Sequence, residues 1–123
     1  MAFSRSQEFR TNEQHTALIC QALSHPARIR MISRLVNSQD SQLDYATMTA
    51  DIPLNPSTIS QHIKYLRSRS IVEYGRDESN YVYKLKTDNP FLMDCINAIV
   101  AMSDHLSDQN LDNELNGMKG PEL

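Results

Sequence analysis

Several things are missing from this chain, and each absence removes a class of protein. No apolar run approaches the ~18 residues needed to cross a bilayer. The opening "MAFSRSQEFRTNEQ" lacks the apolar core of a secretion signal, so a cytoplasmic protein is the expectation. There are two cysteines, Cys20 and Cys95, with no C-x-x-C pair and no disulfide-framework spacing. No internal repeat or low-complexity block interrupts the chain. No nucleophile–base pair, phosphate loop or metal triad can be placed, which argues against an enzyme.

What remains has the composition of a soluble globular domain. The 123 residues are 40% hydrophobic and 22% charged, enough for one domain with one core. The net charge of −3 hides an uneven distribution. Residues 1–24 balance, residues 25–86 carry nine cations against six acids, and residues 87–123 carry Lys119 against seven acids. A basic middle and an acidic end fit a nucleic-acid-binding face, although solvated charge on helix faces is the plainer explanation.

Periodicity gives the organisation. Residues 1–11 are polar and read as a flexible N-terminus. "NEQHTALICQAL" places Ala17, Leu18, Ala22 and Leu23 at helical spacing. In "SHPARIRMISRLVNS", Pro26 suits a first helical position, and Ile29, Ile32, Leu35 and Val36 form an apolar stripe with Arg28, Arg30 and Arg34 away from it. "LDYATMTADI" reads as a short third helix. "PLNPS" is turn chemistry with a serine able to cap the fourth helix, which spans about Ser57 to Arg69. "IVEYGRD" and "NYVYKLK", joined through "DESN", read as a two-stranded hairpin. "NPFLMDCINAIVAMSDHLSDQ" is a long apolar helix, and residues 109–123 read as a disordered acidic tail. The fold class expected is mainly α with a β hairpin, a winged helix-turn-helix domain over residues 12–108.

The fourth helix has two distinct faces. At 100° per residue, with Ile59 at zero, Ile63 and Leu66 fall within about 40° and face the core. Ser57, Gln61, Lys64 and Ser68 fall opposite, between about 140° and 200°. Short polar groups and a cation on one uninterrupted face suit a DNA major groove, where Gln and Ser meet base edges and Lys meets phosphate. The bland alternative is a solvated face. His62 lies beside the core stripe with no acidic or thiol partner at i±3 or i±4, so it builds neither a metal pair nor a catalytic dyad. Ser57 and Ser60 lack the strained setting of a hydrolase nucleophile.

Three stretches, "ALSHPARIRMISRLV", "PSTISQHIKYLRSRSIVEY" and "YVYKL", together resemble the ArsR-type family of bacterial winged helix-turn-helix repressors. The resemblance covers about Leu18 to Leu85. It implies base or nearby contacts from Ser57, Thr58, Ser60 and Gln61, and phosphate contacts from Lys64 and the wing at Arg76. His62 and Tyr65 belong to the same implied DNA-binding set. It implies a homodimer through the first and last helices, with Leu18, Phe91, Leu92, Ile96, Ile99 and Val100 at the interface. The wide apolar arc of the last helix supports this separately. The partner expected is a pseudo-palindromic double-stranded operator with half-sites about one helical turn apart or a multiple of it.

Two departures from the family pattern stand out. Ser70 occupies the position after the fourth helix where the family has Gly, and a left-handed cap costs more at Ser. Asp77 and Glu78 flank the wing tip beside Arg76, and carboxylates there repel phosphate. The two usual inducer sites are also missing. Asp44, Tyr45 and Ala46 replace the arsenic-type Cys-x-Cys, while Asp94, Cys95 and Ile96, with Asp104 and His105 further on, do not give the zinc-type spacing. No cofactor is certain: His15, Asp94, Asp104 and His105 could still form a metal site across the dimer, although surface solvation is the plainer reading. The resemblance brings Cys20 and Cys95 near each other, which opens a thiol sensor, although two small buried hydrophobes is the plainer reading. A winged helix serving protein–protein contacts without specific DNA binding is the alternative function.

Overall fold

The computed structural model describes residues 8–105 and 117–118. Five helices and three strands run in the order α1 (Thr11–Ala22), α2 (Pro26–Val36), β1 (Gln42–Leu43), α3 (Tyr45–Thr49), α4 (Pro56–Ser68), β2 (Val72–Asp77), β3 (Asn80–Leu85) and α5 (Pro90–His105). This is the expected winged helix-turn-helix, with α3 and α4 as the helical pair and β2–β3 as the wing. The flexible segment expected at 1–11 lies mostly outside the described residues, as does the acidic tail apart from residues 117–118.

Each helix begins where a polar side chain satisfies its orphan N–H groups. His25 Nδ1 accepts from the Ala27 N–H (3.0 Å), Asp44 Oδ1 from Thr47 (2.8 Å), Asn55 Oδ1 from Thr58 (2.9 Å) and Asn89 Oδ1 from Leu92 (3.1 Å). At α1, the Arg10 N–H donates to Glu13 Oε1. The cap of α4 is thus Asn55, not the serine expected from "PLNPS". Pro56 takes the first helical position, so the serine after it is already inside the helix. The Thr47 bonds hold the Asp44 carboxyl below its ordinary value.

Two further expectations need correction. The third helix is five residues, because Leu43 leaves it to pair with Tyr83 and Asp44 caps the shortened helix from Tyr45. The wing is consequently the outer part of a three-stranded antiparallel sheet in the order β1-β3-β2, not an isolated hairpin. Two residues paired to β3 are too short to read as a strand from sequence.

The core is organised on α2. Met31, Ile32 and Leu35 are fully buried, while Ile29 and Val36 of the expected stripe are only half-buried. Around them pack Met48 of α3, Ile59, Ile63 and Leu66 of α4, Val72 and Leu85 of the sheet, and Leu92, Ile96 and Val100 of α5. The last three recur four residues apart, so they occupy a single stripe of α5. They were expected at a dimer interface, and that assignment is corrected. They lie in the protomer's own core with no more than 4% of their surface exposed, leaving nothing to offer a second chain. Leu18 (46%), Phe91 (38%) and Met102 (60%) do carry exposed apolar surface on α1 and α5.

The exit from α4 is a complete Schellman turn built on serine. The Ser70 N–H donates to the Arg67 carbonyl (3.0 Å) and the Ile71 N–H to the Leu66 carbonyl (3.1 Å). Ser70 takes φ +58°, so the departure from glycine changes the strain at this turn and not its geometry. Ile71 and Leu66 are both buried, which supplies the apolar contact that accompanies the motif. Ser70 is exposed, so its side chain contributes no burial that glycine would lose. Ser70→Gly is therefore expected to raise stability by about 0.5–1 kcal/mol, the relief of left-handed strain less glycine's greater unfolded entropy. Urea unfolding measures it, and a variant less stable than the parent refutes the strain.

Candidate nucleic-acid interface

The face of α4 turned away from the core carries Ser57, Ser60, Gln61, Lys64 and Ser68, all exposed, with Thr58 half-buried at its margin. Ile59, Ile63 and Leu66 are buried on the other side, as the wheel predicts. At the first turn, Asn55 Oδ1 accepts from both the Thr58 N–H and the Ser57 hydroxyl (2.8 Å), holding Ser57 at the helix start. Helix N-termini favour anions through their remaining N–H groups and the aligned peptide dipoles.

His62 and Tyr65 occupy the seam between α4 and α2 instead of the outward face. His62 Nδ1 accepts from Arg28 Nε–H at 3.0 Å, and its ring lies 4.2 Å from that of His25. The Arg28 guanidinium covers the Tyr65 ring at 4.1 Å, and Arg69 approaches the same ring at 5.3 Å. Burial foremost, then His25 and Arg28, push the His62 imidazole below its ordinary value.

The wing contributes a surface that periodicity alone did not reveal. Tyr74 and Tyr83 are cross-strand partners, as are Arg76 and Tyr81, so all four share one face. The Tyr74 and Tyr81 rings stack at 5.3 Å, and Tyr74 meets Tyr83 at 4.9 Å. Arg76 lies 5.0 Å over Tyr81, and Arg67, reaching from α4, lies 5.5 Å over Tyr74. Tyr74 and Tyr81 are about half exposed (47% and 57%). The ladder thus extends the polar face of α4 into the wing through Arg67. The signal was present as two tyrosine-rich strands, but the register that stacks them was not. Burial, and next to it Tyr74, raise the Tyr83 phenol above its ordinary value. At the tip, Glu78 takes φ +58° and sits with Asp77 beside Arg76, so the acidic tip is retained in the fold.

Cys20 is exposed on α1 and Cys95 half-buried on α5. The plainer reading of both as buried hydrophobes therefore fails for Cys20. The two are close enough that Cys20 raises the Cys95 thiol, after burial as the main cause and ahead of Asp94. Among the described residues no group of three or more His, Cys, Asp and Glu side chains could hold a metal ion. No helix among them is long and apolar enough to cross a membrane.

A scan against protein-family models finds no match. In sequence the chain is 24% identical over 94 residues to the HTH-type transcriptional regulator YgaV of Escherichia coli (strain K12), spanning 76% of this chain and 87% of that protein. In structure it resembles the transcriptional repressor BigR from Xylella fastidiosa, with a TM-score of 0.65 at 21% identity, covering 89% of this chain and 99% of the other. Reduced HlyU from Vibrio cholerae N16961 is similar at a TM-score of 0.56 and 20% identity, covering 85% and 99%. The order of elements, the capped α3–α4 pair and the β2–β3 wing define a winged helix-turn-helix protein. The solved structures it resembles share that fold.

Because Asn55 satisfies two donors at the start of α4, Asn55→Ala is expected to destabilise the protein by about 1 kcal/mol. The loss should appear as faster amide exchange at Thr58, whose N–H the cap accepts. Unchanged exchange there would show that the cap does not hold the turn.

Proposed function

We propose that this chain is a homodimeric, sequence-specific DNA-binding transcriptional repressor of its own operon, released by a small effector. The observation carrying the reading is the uninterrupted polar face of α4, continued through Arg67 into the tyrosine–arginine ladder of the wing. Gln61 and the serines hydrogen-bond base edges, Lys64 and Arg67 meet phosphates, and the wing lies along the adjoining backbone. Thr58 supports the first turn, while His62 and Tyr65 act from the seam. Arg76 contributes from the wing face despite Asp77 and Glu78 at the tip. Leu18, Phe91 and Met102 supply the apolar contact between subunits, with Ile99 half-buried at its edge. For the effector, the two free thiols, Cys20 exposed on α1 and Cys95 half-buried on α5, make thiol chemistry the candidate.

A mobility-shift assay on DNA upstream of the chain's own gene tests the reading. Specific binding that weakens steeply with salt supports it. No binding to that DNA at low salt leaves the second reading, a winged helix for protein contacts, which the acidic wing tip favours.

Gln61→Ala is expected to cost about 1–3 kcal/mol of discrimination at one base pair. Lys64→Ala should weaken operator and random duplex alike and flatten the salt dependence. An equal loss on both duplexes from Gln61→Ala would remove its assigned role.

For the thiols, Cys20→Ser and Cys95→Ser should each abolish oxidant-induced release of DNA. Unchanged release in both variants rules the pair out as sensor.

A further inference from the structure

Three side chains hold the middle of α4 against α2, and two of them are imidazoles. For Arg28 Nε–H to donate to His62 Nδ1, that nitrogen must carry a lone pair, so the ring is neutral with its proton on Nε2. For the Ala27 N–H to donate to His25 Nδ1, the second ring must be in the same neutral form. The two rings lie 4.2 Å apart, and Arg28 is fixed by its other contacts, donating to the Ala22 carbonyl through Nη1 (3.2 Å) and covering Tyr65.

We propose that His25, Arg28 and His62 form a proton-sensitive seat that positions the DNA-reading helix, closed when both imidazoles are neutral and opened when His62 is protonated. A proton on His62 Nδ1 points at the Arg28 Nε–H, replacing an acceptor by a second donor and adding a cation beside a guanidinium. The groups facing His62 are His25 from the α1–α2 link and Arg28 from α2, which also covers Tyr65 of α4. Burial first, then His25 and Arg28, disfavour the charge on His62. Protonating His25 would in turn remove the N-cap acceptor of α2. His62 is thus a positioning residue: it acts on DNA through the placement of Gln61 and Lys64, which flank it.

Linkage sets the direction of the pH effect. The folded His62 binds its proton less readily than the unfolded chain, where 6.5 is the ordinary value. Its contribution to stability is fully present above that value and is lost as the pH falls below it. Asp44, also depressed, acts at lower pH and does not enter this window.

The consequence for DNA rests on the proposed function, but the seat is tested on the free protein. Long-range ¹H–¹⁵N imidazole spectra of the full chain from pH 8 to pH 5 should show His62 as the Nε2–H tautomer, with a midpoint below 6.5. The backbone amides of residues 60–66 should shift with that same midpoint. In His62→Gln, whose Oε1 can still accept from Arg28, those amides should stay put across the range. His25→Asn, which keeps a capping acceptor on α2, should raise the His62 midpoint. Amides of α4 that do not follow His62 in the parent protein overturn the proposal even if a variant fails to fold. So does an undiminished response in His62→Gln.

Discussion

The structure depends on how α2 treats the open carbonyl ends of its neighbours. A helix end leaves carbonyls unpaired, and a buried one needs a donor. α2 is buried along one side by Met31, Ile32 and Leu35. Its three arginines reach from the other side to those carbonyls. Arg28 Nη1 donates to Ala22 at the end of α1, Arg30 to Asp51, and Arg34 to both Met48 and Ala50 at the end of α3. One guanidinium offers five donors in a rigid fork, so each can close a helix end while its stem packs on the core. α1 and α3 are thereby oriented on α2 by directed bonds as well as by apolar contact.

This use of arginine changes the meaning of the charge distribution. The excess of cations between residues 25 and 86 suggested a nucleic-acid face. Three of the nine are engaged inside the fold, and Lys86 forms an ion pair with Glu73 at 3.8 Å. Lys64, Arg67 and Arg76 border the outward face of α4 and the tyrosine face of the wing, while Arg69 lies over Tyr65 and Lys84 stands on β3. The electrostatic footprint is small and local, placed by two elements instead of spread over the domain.

The sequence made the helices and the two faces of α4 legible because both result from a period of 3.6 residues. The wheel that opposed Ile59, Ile63 and Leu66 to Gln61 and Lys64 needed no tertiary information. Ser70 was legible only through the resemblance, which places a glycine at the exit of α4, and the left-handed turn there explains why. What could not be read was set by contacts distant in the chain. β1 exists only because Leu43 meets Tyr83. The tyrosine ladder depends on strand register. The burial of Leu92, Ile96 and Val100 within the protomer depends on α5 packing back over α2 and α1. An apolar arc announces burial but not by which partner, and here much of it is consumed by the chain's own core.

α4 is consequently fixed at three points, at its first turn, its middle and its end. Asn55 ties its first turn, the Arg28–His62 bond and the Tyr65–Arg28 contact tie its middle to α2, and the Ser70 turn with Ile71 ties its end to the sheet. The Lys86 N–H donates to the Ile71 carbonyl at 3.0 Å, so this last anchor reaches the end of β3 and the approach to α5. Ser57 shares in the first of these anchors, but Gln61 and Lys64 can vary without loosening the helix, because no anchor passes through them. A disturbance in α5 or at the seam has the reverse effect. It leaves every outward side chain intact and changes where the whole face sits, which is the arrangement a reading surface needs if it is to be governed from elsewhere in the fold.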